Sequence, residues 1–445
     1  MFGRMIRYGL FLSILIYGLL SISVFGMNSE SILLPYSKTV LENGLTIIVK
    51  EVHATPLAAV DVWVGTGAVN ESPEETGISH FFEHMIFKGT AKRSVGQFSQ
   101  EIQGVGGYLN AATSLDTTHY YIVVPSESID LALDAQADAI QNSIFDPGEI
   151  DKERQVIMEE MRLKEDNPQK KLSWAAYRQL FVGTPYANDV LGTPESLAGI
   201  TRETFLNYHR KRYVANNMVV VVTGDVNTAD VISKISRLFN GLKPGKIDRL
   251  PEIDQTVLDH VKRVELQMEV EQTYLYMGFP GTSLYHQDTP VLNILGVIMG
   301  GGKSSRLYQE LREEKKLVST IGSGYQAYQK MGIFAIYAET RETEVNQIEK
   351  TMTASLRKIA TEGVTQDELN RAKRLIQSYL AYDLETNAGK AAFIGEFEVG
   401  GSLEDAVNYE KRLAAVTTED IQKIAVKYFL SGYVWVSVKP EGGKS

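Results

Sequence analysis

Two histidines four residues apart, His80 and His84, with Glu83 beside the second, are the residues best placed to do chemistry. They lie in Gly77-Ile78-Ser79-His80-Phe81-Phe82-Glu83-His84-Met85, an H-x-x-E-H pattern that reverses the order of the H-E-x-x-H metal motif. On a helix, residues four apart stack on one face, so both imidazoles can reach a single ion. Glu83 stays near the same ion, where a carboxylate can act as base toward water that the metal has acidified. With seven histidines in 445 residues, chance supplies such a pair with a fixed acid on the order of 0.01 times. The chemistry implied is metal-assisted hydrolysis.

A catalytic metal needs a third protein ligand. Asp146-Pro147-Gly148-Glu149 opens a stretch that starts acidic and ends basic, as a helix in harmony with its own dipole does. The helical period traces an apolar face through Val156, Ile157 and Met161. Glu160 falls on that face and Glu153, seven residues earlier, on the same stripe, whereas Glu159 points to solvent. A carboxylate on a buried face is costly unless paired or metal-bound. Glu160 is therefore the expected ligand, and Glu153 a carboxylate able to orient an imidazole from behind.

These residues together resemble the pitrilysin family of zinc metallopeptidases, or inverzincins. More narrowly, they resemble its branch of short two-domain chains that includes the mitochondrial processing peptidase and its bacterial relatives. The family pattern is H-x-x-E-H with a third ligand about 76 residues on, and here Glu160 follows His84 by 76 residues. The resemblance implies one Zn²⁺ per chain, held by His80, His84 and Glu160, with Glu83 as general base. Glu153 takes the place of the family's additional glutamate. Gly107-Tyr108-Leu109-Asn110-Ala111-Ala112-Thr113 resembles the strand that pairs with an extended substrate, so Asn110 and Ala111 are expected to touch peptide backbone. The family also carries an Arg with a Tyr seven residues on. Arg312 matches the first, but Ser319 stands at the second, with Tyr325 and Tyr328 beyond it. Full-length relatives enclose unfolded peptides between four domains. This chain supplies two, so a second chain of the same type is expected, a zinc-less partner ahead of a second copy.

Composition bounds the rest. Arg4 and Arg7 precede a mostly apolar run and Val24-Phe25-Gly26, which reads as a signal peptide over residues 1–26 and an exported, periplasmic or secreted protein. Membrane anchoring through residues 8–25 follows only if that segment is retained. There are no cysteines, which excludes disulfides and thiolate metal sites. The formal charge of −10, or −12 without the two leader arginines, argues against nucleic-acid partners. Gly300-Gly301-Gly302-Lys303-Ser304 fails the phosphate-loop spacing, because Val297 occupies the place of its first glycine.

The expected fold class is α+β: two homologous α/β sandwiches with mixed, mainly antiparallel sheets packed with helices. The zinc-binding domain is expected over residues 35–243, a linker over 244–262 and a metal-free second domain over 263–440. Helices are read at 168–182, 201–214 and 229–240. Met218-Val219-Val220-Val221-Val222-Thr223-Gly224 is a well-buried strand, 271–279 another, and 433–438 a closing one. The second half repeats the pattern of the first, setting Asn293, Gly296 and Val297 opposite His80, Glu83 and His84.

Overall fold

The computed structural model describes residues 33–441, apart from 249, 251–252, 254–257 and 342–343. The expected leader over residues 1–26 lies outside the described residues, as does part of the expected linker. Among the described residues, no helix is long and apolar enough to cross a membrane.

The β-branched run Met218–Gly224 is buried at every position, as a strand flanked on both edges and covered on both faces must be. It forms the middle of the first sheet. That sheet comprises β1 (Ser37–Val40), β2 (Thr46–Glu51), β3 (Leu57–Val64), β4 (Tyr108–Thr113), β5 (Thr118–Pro125) and β6 (Met218–Gly224), in the order β1-β2-β6-β3-β5-β4. Only β2 and β6 run parallel; the other neighbours are antiparallel. The second sheet holds β7 (Lys262–Met268), β8 (Thr273–Gly281), β9 (Thr320–Ala327), β10 (Gly332–Thr340) and β11 (Val434–Pro440), in the order β7-β11-β8-β10-β9. Again one pair, β7 and β11, is parallel. Replacing β2 through β6 by β7 through β11 in chain order reproduces the arrangement, so the repeat read from the sequence pattern exists as topology. The fold is mixed α/β, two sheets each packed with helices.

Alternation along the strands sends one set of side chains to each face. On the first sheet, Val60, Val62, Val64, Tyr120, Ile122 and Val220 join the core shared with the helix Ile78–Met85. The opposite faces exchange helices between the halves. Ala391, Ile394 and Phe397 of the helix Asn387–Gly400 pack on Trp63, Val219 and Val221 of the first sheet. Leu172, Ala176 and Leu180 of the helix Pro168–Leu180 pack on Tyr276, Val434 and Val436 of the second. At roughly 1.5–3 kcal/mol for each large apolar side chain buried, this exchange joins the halves by more than their linker.

Candidate metal centre

The helix Ile78–Met85 is positioned from below by aromatic packing and at its start by a carboxylate. Ile78, Ser79, Phe81, Phe82 and Met85 are buried. Phe82 stacks on Tyr213 with ring centroids 4.2 Å apart, and Phe81 meets Phe205 edge-on at 5.0 Å. With that face committed to the core, His80, Glu83 and His84 are left together on the other face, partly exposed. Gly77 begins the helix at φ 91°, and a Cβ there would come within 2.6 Å of the Leu191 carbonyl oxygen, so no other residue fits. Glu71 accepts hydrogen bonds from the Gly77 and Ser79 amides, each 2.8 Å, satisfying donors that the first helical turn leaves open. Ser79 Oγ lies 2.7 Å from Tyr208 Oη, tying the same turn to the core.

The carboxylates arrive on the helix Pro147–Glu165, started by Asp146, whose side chain accepts from the Gly148 and Glu149 amides. Its buried stripe runs through Ile150, Glu153 and Ile157. Val156, which the apolar pattern placed on that stripe, is 40% exposed: it sits one residue, about 100°, off the face. Glu160 nevertheless reaches the histidines. Its Oε2 is 3.7 Å from His80 Nε2 and 3.8 Å from His84 Nε2, and one ligand atom from each residue lies within 4.8 Å of the others. Tetrahedral ligands about 2.0–2.2 Å from a zinc ion stand about 3.4 Å apart, so the two separations from Glu160 are close to those such an ion needs, and the three donors converge on one point.

Glu153 is buried and spans two partners. Its Oε2 is 3.0 Å from His84 Nδ1, and its Oε1 accepts from Lys88 Nζ at 2.5 Å. Burial pushes this carboxyl up, but the bonds from His84 and Lys88 outweigh burial and hold it below the usual carboxylate range. With Nδ1–H given to Glu153, His84 is fixed in the tautomer that turns a bare Nε2, able to bind a metal, toward Glu160. Burial raises the Glu83 carboxyl above its ordinary value, against a hydrogen bond from Thr113.

Three participants were not read from the sequence: Lys88, Thr113 and His119. His119 bonds Asp61 at 3.0 Å and stacks on Trp63 at 4.1 Å, which fixes a ring that acts electrostatically on Glu83. Lys88 lies four residues beyond His84, just past the end of the helix, and Thr113 at the end of the quoted substrate strand, but no single-sequence signal marks a hydrogen bond between separate elements.

The remaining expected residues divide. Asn110 and Ala111 lie on β4, the edge strand of the first sheet, next to the histidine helix. Asn110 is exposed, and its Nδ2 reaches Tyr121 Oη at 3.4 Å. Arg312 is exposed with its guanidinium 5.0 Å from the Tyr308 ring centre, and among the described residues no hydrogen bond or ion pair links it to the metal-binding cluster. Ser319 bonds the Glu339 carbonyl at 3.1 Å. Tyr325 donates to the Thr282 carbonyl within the second half, and Tyr328 lies 2.7 Å from Tyr177 Oη in the aromatic contact between halves, so neither replaces the expected tyrosine at the cluster.

The family profile described as Insulinase (Peptidase family M16) matches residues 46–194, which contain His80, Glu83, His84, Glu153 and Glu160. The profile described as Peptidase M16 inactive domain matches residues 199–376. An uncharacterized zinc protease of Rickettsia felis is 35% identical over 88% of this chain and 94% of its own length. Another of Bacillus subtilis is 32% identical over 90% of this chain and 97% of its own. The crystal structure of a protease from Helicobacter pylori superposes with TM-score 0.85 at 26% identity, covering 91% of this chain and all of that one. A structure described as a peptidase M16 inactive domain from Pseudomonas fluorescens, at 21% identity and TM-score 0.84 over 93% of this chain and 99% of its own, shares the fold.

Proposed function

The chain belongs to the M16 peptidase family, the pitrilysin-type zinc proteases, and from that premise we propose that it is an endopeptidase for unfolded peptides. The observation that carries the proposal is the convergence of His80, His84 and Glu160 on one point with Glu83 beside it. One zinc ion held by those three residues supplies Lewis acidity, acidifying water and polarising a scissile carbonyl.

The chain's own groups do the rest. Glu83 takes the proton of the attacking water and returns it to the departing amine. Its raised proton affinity suits both directions of that transfer. Thr113 holds the carboxyl in place, and Glu153 with Lys88 holds His84. The free edge of β4 offers backbone groups to an extended peptide, so sequence preference is broad. Arg312 faces Tyr308 and Ser319 bonds the Glu339 carbonyl, contacts within the second half, which supports a partner chain of the same fold, one that lacks zinc, closing the chamber from the other side. The leader-like residues 1–26 support export, with membrane attachment only where they are retained.

The test is hydrolysis of unstructured peptides by the zinc-loaded protein and by Glu83→Gln. Glu83→Gln is expected to keep its zinc and lose about 10²–10⁴-fold in turnover. Full turnover in a zinc-replete Glu83→Gln protein would remove Glu83 from its role. A zinc-replete but inactive parent would favour the other reading, a structural or peptide-binding subunit that needs its partner.

A further inference from the structure

The edge strand β4 is held at its far end by the other half of the molecule. β4 and β5 are joined by the turn at residues 114–117, and their repeat equivalents β9 and β10 by the turn at 328–331. Both turns close with the same hydrogen bond, Ser114 N–H to Thr117 O at 2.8 Å and Tyr328 N–H to Met331 O at 2.7 Å. The two turns abut. Between them Asp116 is buried, accepting from Tyr186 Oη at 2.6 Å on Oδ1 and from the Gln329 amide at 2.8 Å on Oδ2. The Lys330 amide donates to the same Tyr186 oxygen at 3.1 Å, closing a ring of bonds across the halves.

Asp116 stands three residues beyond Thr113, which ends β4 and bonds Glu83. The intervening turn is stiff: Ser114 Oγ accepts from the Asp116 and Thr117 amides at 3.2 and 3.0 Å. Movement of Asp116 therefore carries to Thr113 and to the backbone edge of β4. A buried carboxylate with its bonds supplied mainly by another element belongs to a rigid junction, because leaving those lone pairs unmet is costly.

We propose that Asp116 is a positioning residue for peptide binding, through which the second half, by Gln329 and Lys330, holds the edge strand β4 in register beside Glu83. This rests on the peptidase reading for its ligand, although the junction itself does not. Asp116→Asn replaces an acceptor by an amide facing two donors. Tyr186→Phe keeps the buried ring and removes only the bridging hydroxyl, a milder variant should the first fold poorly.

The experiment uses the full chain in zinc-loaded form, carrying Glu83→Gln so that peptide is bound and not consumed. It measures the Kd for a fluorescent unstructured peptide, zinc content and amide hydrogen exchange. Asp116→Asn is expected to weaken peptide binding about tenfold or more and to speed exchange along β4. Zinc content and exchange in the helix Ile78–Met85 should stay as in the parent. Tyr186→Phe should change the same quantities by less. Unchanged Kd with unchanged β4 exchange overturns the proposal, and so does zinc loss or equal loosening of the histidine helix, which would mark a general structural role. If the Glu83→Gln parent binds no peptide, the peptidase reading fails. The junction is then decided by exchange alone: faster β4 exchange upholds it and unchanged exchange refutes it.

Discussion

The two halves share one strand plan and differ in how a helix meets the edge strand. In the first half, the helix Ile78–Met85 stands off β4, joined to it near Glu83 by bonds of Thr113. In the second, the helix Thr289–Gly300 is pressed onto β9. A Cβ on Gly296 would come within 2.9 Å of Gly324 Cα, and one on Gly300 within 2.3 Å of the Ser323 amide nitrogen. Ser323 Oγ also donates to the Gly296 carbonyl at 2.7 Å. Where the first half has His80, the second has Asn293, bonded to Tyr409 Oη at 2.9 Å. Gly296, standing where the first half has Glu83, lets the helix Thr289–Gly300 close onto β9. The same scaffold makes a site or a packed wall according to the side chains on one helix face.

The largest break in that contrast is Glu160→Ala. Two imidazoles alone are a weak zinc site, so metal measured after dialysis should fall well below one per chain; stoichiometric zinc would mean that another residue is the third ligand. Glu153→Gln comes next. It keeps a carbonyl oxygen for His84 Nδ1–H but removes the charge, and zinc affinity should fall about 10–100-fold. Lys88→Met should fall at the low end of that range, since it strips the cation from Glu153 without touching the imidazole. A competition titration with a chelator ranks the three. Equal affinities for Lys88→Met and the parent would show that Glu153 needs no second partner.

The site was more legible than its surroundings, for a physical reason. His80, Glu83 and His84 lie within one helical turn, and Glu153 and Glu160 two turns apart on another, so local periodicity alone assigns them to faces. The strand Met218–Gly224 announced itself by seven residues that all had to be buried. The pattern failed at Val156, where an apolar residue is exposed, because hydrophobicity permits burial without requiring it. Thr113, His119, Lys88 and Asp116 act through partners far off in sequence, and periodicity carries no such information. The exchange of Pro168–Leu180 and Asn387–Gly400 between the halves was hidden likewise: an apolar stripe shows that a helix is covered and leaves open which sheet covers it.

The packed wall of the second half can be tested directly. Gly296→Ala gains about 1 kcal/mol of helix propensity but forces a methyl group onto the Gly324 backbone. Overpacking against backbone typically costs about 1–3 kcal/mol, so net loss of stability is expected from the urea midpoint. A more stable Gly296→Ala protein would show that the wall has slack and that the contrast between the halves is overdrawn.

The smallest effect concerns acid. Burial raises the Glu368 carboxyl, but Arg306, bonded to it at 2.7 and 2.9 Å, and the Thr365 amide outweigh burial and bring it down to about 2. A folded-state value below the unfolded one means that the carboxylate stabilises the fold above the unfolded pKa of about 4.3. That contribution is lost as pH falls from there toward 2. Urea midpoints at about pH 5 and about pH 3 should therefore differ less in Glu368→Gln than in the parent. Because this pair clasps the start of the helix Gln366–Asp383 in the second half, the difference should appear there while zinc content at pH 7 stays unchanged. An equal acid response in both proteins would place the acid-sensitive groups elsewhere.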